Sequence, residues 1–359
     1  MLKTNKISEK KIKVQTLSVG LDVHDKQWAM SIMGDGVFYC KGLVVEPNSK
    51  QIKKYIDQRF EYKENKLVYE AGFCGFWIQR ELQELGIDAS VVNPADIPTS
   101  DKDAKNKTDK RDSKTMAKTL NGGLLEPIYV PTEQEEERHQ YIVRRNDMVK
   151  KRIRIKNQIK ALLKKHGIKE EGLIHWSEKY KEAIIESIKK QRPALLSIMK
   201  GMIEELEFYE QKIAAIDTEL EEMISQSELK DDYIRLQKIP GIGKTTSVTF
   251  LFDLYNINRF KNFSCFASYI GLIPTEHSSG EKIRKGHITR RGKGKLKSML
   301  IEAAWISVSR DETMKKYYHI QLGRGVKPQQ AIIKCAKKLL SRMFHILKTG
   351  EEYKIEIAA

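Results

Sequence analysis

Four carboxylates in this chain stand where an α/β sheet could gather them. Asp22 closes a strand-like run in SVGLDVH, and Glu70 closes another in KLVYE. Asp109 and Asp112 are three apart in KTDKRDSKTMAKTL, a spacing that puts both on one face of a helix. Strand ends and one helix face can converge on a point, and four carboxylates held together there need cations. Hard divalent ions such as Mg²⁺ take oxygen ligands, and a pair of them ~4 Å apart serves both oxygens of a phosphoryl displacement. The plainer account is four unrelated surface acids. Asp25, Asp101 and Asp103 compete by spacing, and His24 could be a ligand, a phosphate contact or a structural residue. Basic neighbours around Asp109 and Asp112 would hold a phosphate backbone beside the acids.

Three further segments could meet phosphates. Arg144 to Lys165 carries ten basic residues, among them Arg144, Arg145, Lys151 and Arg152, against the single acid Asp147. PGIG at Pro240–Gly243, followed by Lys244, suggests a helix-hairpin-helix turn whose backbone N–H groups approach a phosphate; a tight turn between packed helices fits as well. A P-loop does not fit, because Lys238 stands where the first glycine is needed. The third segment, Lys282 to Lys297, has eight Lys or Arg residues and no acids, including Arg284, Lys285, Arg290, Arg291, Lys293 and Lys295. Ser278 and Ser279 stand at its entrance, where a serine is either a turn residue or a nucleophile with basic groups to stabilise charge on phosphorus.

The composition agrees with a polyanionic partner. The 359 residues include 65 Lys or Arg against 48 Asp or Glu, a net charge of +17. No apolar run approaches the ~18 residues of a membrane span, and the N-terminus lacks the apolar core of a secretory signal. The four cysteines form no paired metal pattern and point to a reducing compartment.

The elements that must position these residues read as follows. Residues 1–13 are a loose arm. Strands are expected over 16–23, 27–33, 37–45, 66–69 and 87–92, and helices over 49–60, from Trp77 to a stop at Gly86, and over 108–120. Strands interleaved with helices make an α/β domain over 14–130. Residues 131–228 are helical, with Met148, Ile155 and Leu162 on one amphipathic helix and Leu195, Ile198, Met202, Leu206 and Ile213 on a second, an antiparallel coiled-coil hairpin. That hairpin is either a spacer or dimer arm or a nucleic-acid contact. Residues 229–348 form a mostly helical third block. Trp28, Phe76 and Trp77 read as core in preference to base-stacking residues, and Trp305 reads as core.

Taken together, these segments resemble the DEDD-type insertion-sequence transposases, the bridge-RNA-guided recombinase group. The resemblance rests on GLDVHDKQWAMSI, VYEAGFCGFWIQRELQELGI with VVNPADI, KTDKRDSKTMAKTL, IPGIGKTTSVTFLFDL, FKNFSCFASYIGLIPTEHSSGEKIRKGHITRRGKGKLKSMLIEAAW and PQQAIIKCAKKLL, in that order. It implies a RuvC-like, RNase H-type N-terminal domain in which Asp22, Glu70, Asp109 and Asp112 bind a divalent metal, Mg²⁺ or Mn²⁺. It implies a serine in the C-terminal domain that links covalently to DNA; Ser279, before Gly280, matches best and Ser278 is the rival. It further implies donor and target DNA, a noncoding guide RNA, a dimer or tetramer in which one subunit's serine meets another's metal site, and a place in the cytoplasm at the nucleoid. The family commonly has Gly-Asn after the basic turn, where this chain has Gly292-Lys293-Gly294. The rival readings are a metal-dependent Holliday-junction nuclease with no covalent intermediate, and a basic scaffold whose acids are incidental.

Overall fold

The computed structural model describes residues 11–98, 109–168, 176–189, 192–276, 285–289 and 292–354, without the side chains of 109–110, 189, 275–276 and 285–287. Contacts divide the chain into two compact units, Met1–Pro131 and Thr132–Ala359.

The first unit is built on five strands: β1 (Ile12–Val23), β2 (Trp28–Gly34), β3 (Val37–Val45), β4 (Phe60–Glu70) and β5 (Asp88–Val92). Their order is β3-β2-β1-β4-β5. The β1–β2–β3 meander is antiparallel, whereas β1, β4 and β5 run parallel, so the sheet is mixed. Asp35 and Gly36, both at positive φ, close the β2–β3 hairpin, as a two-residue turn matching strand twist requires. The parallel strands are joined by helices α1 (Ser49–Arg59) and α2 (Trp77–Glu84), and α3 (Asp109–Asn121) follows β5.

Alternation along β1 assigns its two faces. Leu17, Val19 and Leu21 share a core with Leu67, Tyr69 and Val91 and with Ile52, Ile56, Ile78 and Leu82 of α1 and α2. The other face carries Ser18, Gly20 and Asp22, and α3 lies on it. A Cβ at Gly20 would stand 2.2 Å from the Ser113 carbonyl oxygen and 2.4 Å from the Ala117 amide nitrogen, so helix backbone rests on strand backbone there. The Ser31 and Ser113 hydroxyls meet at 2.9 Å beneath it, and Val68, Val92 and Met116 complete the apolar contact.

Two strands exceed the sequence expectation. β1 begins at Ile12, inside the stretch read as a loose arm, and β4 begins at Phe60 rather than near 66. The added residues pair with each other, Ile12 with Phe60 and Lys13 with Glu61, and the last two form an ion pair at 3.3 Å. Apolar residues alternate through these additions too, Ile12 and Val14 in β1 and Phe60 and Tyr62 in β4, and Val14 and Phe60 are buried in the core, so the strand pattern continues past the expected starts.

Among the described residues the second unit is helical apart from a small antiparallel pair, β6 (Pro274–Glu276) and β7 (Lys285–Ile288). Helices α4 (Glu133–Lys165) and α6 (Pro193–Ser225) are 33 residues each and pack antiparallel, with the shorter α5 (Glu178–Lys189) against them. A Thr132–Glu135 capping box starts α4. The seam of α6 runs through Leu195, Met199, Ile203, Leu206, Ile213, Leu220 and Ile224. Ile198, expected inside, is 56% exposed, because the buried stripe passes through Met199, one position on. The remaining helices, α7 (Lys230–Gln237), α8 (Lys244–Leu254), α9 (Phe263–Ile270), α10 (Gly294–Arg310), α11 (Glu312–Gly323) and α12 (Pro328–Thr349), enclose a core that includes Phe250, Phe252, Phe266, Leu300 and Leu339. Trp305 is not in that core: it is exposed on α10 with its ring 5.8 Å from Tyr318. Among the described residues no helix is long and apolar enough to cross a membrane.

The approach at Gly20 leads to a stability prediction. Gly20→Ala should destabilise the first unit by about 1–3 kcal/mol or more, read by urea denaturation, because helix and strand backbones must separate to admit a methyl. An unchanged midpoint would mean that α3 does not sit on β1 as described.

Candidate functional site

Strand register brings the first two acids together. Leu21 pairs with Tyr69 across the parallel β1–β4 ladder, so the next step places Asp22 beside Glu70 at the carboxyl ends of both strands. Asp22 follows Gly20 by two and Glu70 follows Val68 by two, so both belong to the face that α3 covers. α3 runs antiparallel to β1: Asn121 reaches Ser18 at 3.5 Å, Ser113 and Ala117 lie on Gly20, and the first turn therefore points toward Asp22. That turn holds Asp109, the first residue of the helix, and Asp112, which is half-buried. His24 stands at this end as well, its Nε2 3.4 Å from Asp22 Oδ2.

The donors of this set are all carboxylate oxygens, which suit a hard divalent cation rather than a soft one. Among the described residues no three His, Cys, Asp or Glu side chains make a metal-holding group. Asp22, His24, Glu70 and Asp112 are all described, so the structure does not draw these four into one cluster; the Asp109 side chain lies outside the description, as do Asp101 and Asp103 altogether. Asp25 is exposed in the turn between β1 and β2.

The basic stretch of α4 has a partner that the sequence reading passed over. α6 holds eight acids and two lysines, and the two helices pair by charge as well as by apolar seam. The Arg145 guanidinium grips Asp217 through Nε and, at 3.0 Å, through Nη2. Lys156 reaches Glu210 at 2.9 Å, and Arg138 makes a two-pronged contact with Glu228 at 2.7 and 3.1 Å. Arg145 is therefore turned toward the neighbouring helix, and Arg152 is half-buried. Arg144 and Lys151 are exposed.

In PGIG the two glycines differ. Gly241, at φ +96, packs on α10: its Cβ would stand 2.3 Å from the Ala303 carbonyl oxygen. It makes the turn between packed helices. Gly243 is exposed at the start of α8 and faces open space. Lys244 is exposed and bonded to Glu221 at 2.8 Å. Helix α7, not a strand, precedes the turn, as it should where no P-loop is present.

Of the basic segment, Arg284, Arg290 and Arg291 lie outside the described residues, with Ser278 and Ser279; Lys285 opens β7, and its side chain is not described. Lys295 is exposed on the first turn of α10. Lys293 is turned inward, contrary to the sequence expectation. Its Nζ donates to Asp253 Oδ1 at 3.0 Å, and His139 Nδ1 stands 3.1 Å from the same oxygen. Burial works to raise the Asp253 pKa, but contacts with His139 and Lys293 outweigh it and hold the carboxyl below its usual range. Burial likewise works to lower the Lys293 pKa and is outweighed by Tyr269 and Asp253, which raise it. Burial pushes the nearby Tyr255 hydroxyl up to about 12. The signal for this cluster was a single acid within the apolar helix sequence VTFLFDL.

Two family models and several known proteins match this chain. A transposase family model for DEDD transposases of the IS110 type matches residues 19–168, which span Asp22, Glu70, Asp109 and Asp112. A second, described as the transposase IS116/IS110/IS902 family, matches residues 233–319, which span PGIG and the basic segment. The Sinorhizobium fredii protein y4qE is 26% identical over 80% of this chain and 70% of its own length. The transposase for insertion sequence element IS1111A of Coxiella burnetii is 25% identical over 73% of this chain and 71% of its own. The pilin gene-inverting protein of Moraxella bovis is 26% identical over 52% of this chain and 59% of its own.

The Lys293 cluster gives a prediction with a pH signature. Lys293→Met should cost about 1–3 kcal/mol at neutral pH, since it removes one partner of a buried carboxylate. A carboxyl with a depressed folded-state pKa contributes its stability above the unfolded value, near 3.8, and loses it below. The deficit, measured by denaturant midpoints across pH, should therefore narrow as pH falls through that value. A constant deficit would mean the ion pair is not its source.

Proposed function

Because the chain belongs to the IS110 family of DEDD transposases, we propose that it cuts and rejoins DNA as an RNA-guided recombinase of a mobile element. It is a DNA transposase by that membership; the guide RNA, the serine and the roles of individual acids belong to the proposal. The observation that carries it is the placement of Asp22 and Glu70 at the ends of adjacent parallel strands, one step past the paired Leu21 and Tyr69, on the face toward which α3 directs its first turn.

In this reading residues 14–130 form a RuvC-like catalytic domain, 131–228 an arm, and 229–348 the domain with the nucleophile. Asp22, Glu70, Asp109 and Asp112 would hold Mg²⁺ or Mn²⁺, which supplies positive charge for the scissile phosphate and the departing oxygen. Their own task is to fix the positions of those charges, with α3 and the sheet as rigid supports. Ser279, with Ser278 as the rival, attacks phosphorus through its hydroxyl oxygen. One sugar oxygen leaves as a hydroxyl, and the serine keeps the phosphate in a phosphodiester. A second strand's hydroxyl then attacks the same phosphorus and releases the serine. Each step exchanges one phosphodiester for another, so rejoining needs no ATP. Exposed Arg144, Lys151 and Lys295 offer charge to nucleic acid, Lys244 would do so on leaving Glu221, and Arg284, Lys285, Arg290 and Arg291 share that role. The protein acts as a homo-oligomer at the nucleoid, on donor and target DNA.

The alternative, a junction nuclease using water, is separated by one product: a protein–DNA adduct. Ser279→Ala should retain nucleic-acid binding and lose both adduct and cleavage, whereas Asp109→Asn and Asp112→Asn should each reduce cleavage by a hundredfold or more in Mg²⁺. Denaturing gels of labelled DNA read both. Full cleavage by the serine variant points to the water nuclease, and normal cutting by either aspartate variant removes the acids from the mechanism. A discrete RNA, encoded beside the gene and retained through purification, is the expected sign of guidance; a random host mixture counts against it.

A further inference from the structure

Two large aromatic side chains stand in solvent at the acid end of the sheet: Phe73, 69% exposed, and Trp77, 50% exposed. The sequence reading placed Trp77 in the core beside Trp28. Trp28 is there, but Trp77 sits at the edge with its ring 6.2 Å away. Single exposed apolar residues are ordinary on protein surfaces. Three features set this pair apart.

The first is rigidity. The turn between β4 and α2 is pinned from beneath by buried Tyr69, whose hydroxyl donates to the Gly75 carbonyl at 3.1 Å and accepts from the Gln79 amide at 3.3 Å. The Ala71 amide donates to the Val92 carbonyl at 2.8 Å, and Gly75 takes the positive φ that the turn requires. Exposed rings on a fixed backbone have surrendered part of their freedom before any ligand arrives, which favours binding. The second feature is position. Phe73 follows Glu70 by three residues, and Trp77 is the first residue of α2, so both stand at the carboxyl end of β4; the Trp77 ring lies against Trp28 on the α2 side of the sheet, across the strand ends from the face that carries Asp22 and Glu70. The third is electrostatic need. Carboxylates repel a phosphate backbone, so a strand docked there gains from uncharged contacts that hold it near the acids.

We propose that Phe73 and Trp77 form a stacking platform for an unpaired base of the DNA strand whose phosphate lies at the acid site. This rests on the reading of Asp22, Glu70, Asp109 and Asp112 as the DNA-cutting centre. A base within a duplex has both faces covered by its neighbours, so an aromatic side chain meets a base face only at an end, a junction or an extruded nucleotide. Every base has such a face, so the platform tolerates sequence and leaves its choice to other parts of the complex.

The test uses the full chain and a DNA duplex with one unpaired 2-aminopurine at a single-strand junction. Wild-type protein should quench the probe on binding. The double variant Phe73→Leu/Trp77→Leu keeps the apolar surface and removes both aromatic faces. It should lose the quenching and bind this DNA about tenfold or more weaker, with the salt dependence of binding unchanged because no phosphate contact is lost. Wild-type quenching by a folded leucine variant, checked by circular dichroism, would overturn the platform. So would quenching of the matching RNA probe with the DNA probe unaffected. A double alanine variant that falls from oligomer to monomer in sedimentation, while the leucine variant keeps both oligomer and quenching, would assign the surface to a second copy of the chain instead. Asp112→Asn separates the two readings: it should quench normally and fail to cut. If it cuts normally while the leucine variant loses quenching, the acid assignment falls and the platform stands.

Discussion

The backbone contact between α3 and β1 at Gly20 is the constraint on which the candidate centre depends. A helix normally stands about 10 Å from a sheet because side chains fill the gap; here the strand contributes no Cβ, and the helix carbonyl and amide come down onto it. The close approach fixes α3 in height and along its axis, since a slide in either direction would bring bulkier residues over Gly20. The paired Ser31 and Ser113 hydroxyls satisfy the polar groups sealed beneath the contact. Two carboxylates on strand ends and two on a helix turn can act on one phosphate only if helix and strand are registered to a fraction of an ångström. Glycine at position 20 supplies that registration without any acid taking part.

The second unit shows the same economy with charge. Read alone, the basic face of α4 looks like a surface waiting for a polyanion. The acidic face of α6 changes this, since Arg145 and Lys156 are directed to its carboxylates Asp217 and Glu210. Such pairs set the antiparallel register of two long helices more firmly than they add stability, because partly exposed ion pairs are weak. What remains for an external polyanion is the outward subset, Arg144 and Lys151 among them. Charge counted along the sequence overstates what a partner meets; charge left after intramolecular pairing is the relevant quantity.

Much of the first unit was legible because its core strands alternate and its helices carry caps and stops. Glu70, Asp22 and the Asp109–Asp112 pair could be singled out because strand ends and an i, i+3 spacing are local features. The starts of β1 and β4 were passed over although Ile12 and Val14, and Phe60 and Tyr62, alternate there, because the charged residues between and after them made both stretches read as polar. The inward turn of Lys293 was equally hidden. A lysine in a glycine-rich basic run looks solvent-directed, and only the folded chain brings Asp253 from α8 and His139 from α4 to meet it. Ile198 and Met199 show the limit of heptad counting: both are apolar, and the angle at which two helices cross decides which is buried.

The exposed aromatics complete a physical picture of the acid end of the sheet. A site made of carboxylates is poorly suited to attract nucleic acid by itself, and a chain of +17 offers attraction that is long-ranged but indifferent to where along a strand it acts. Position has to come from short-range contacts. Hydrogen bonds to base edges would tie the centre to one sequence, whereas base stacking is directional, uncharged and nearly independent of sequence. A recombinase whose targets are selected by base pairing to another nucleic acid would need this combination at its cutting centre. The pinning of the β4–α2 turn by Tyr69 then acquires a purpose beyond packing: it fixes the backbone that carries the two rings at the carboxyl end of β4, so that a captured base is held at a set place relative to the strand ends.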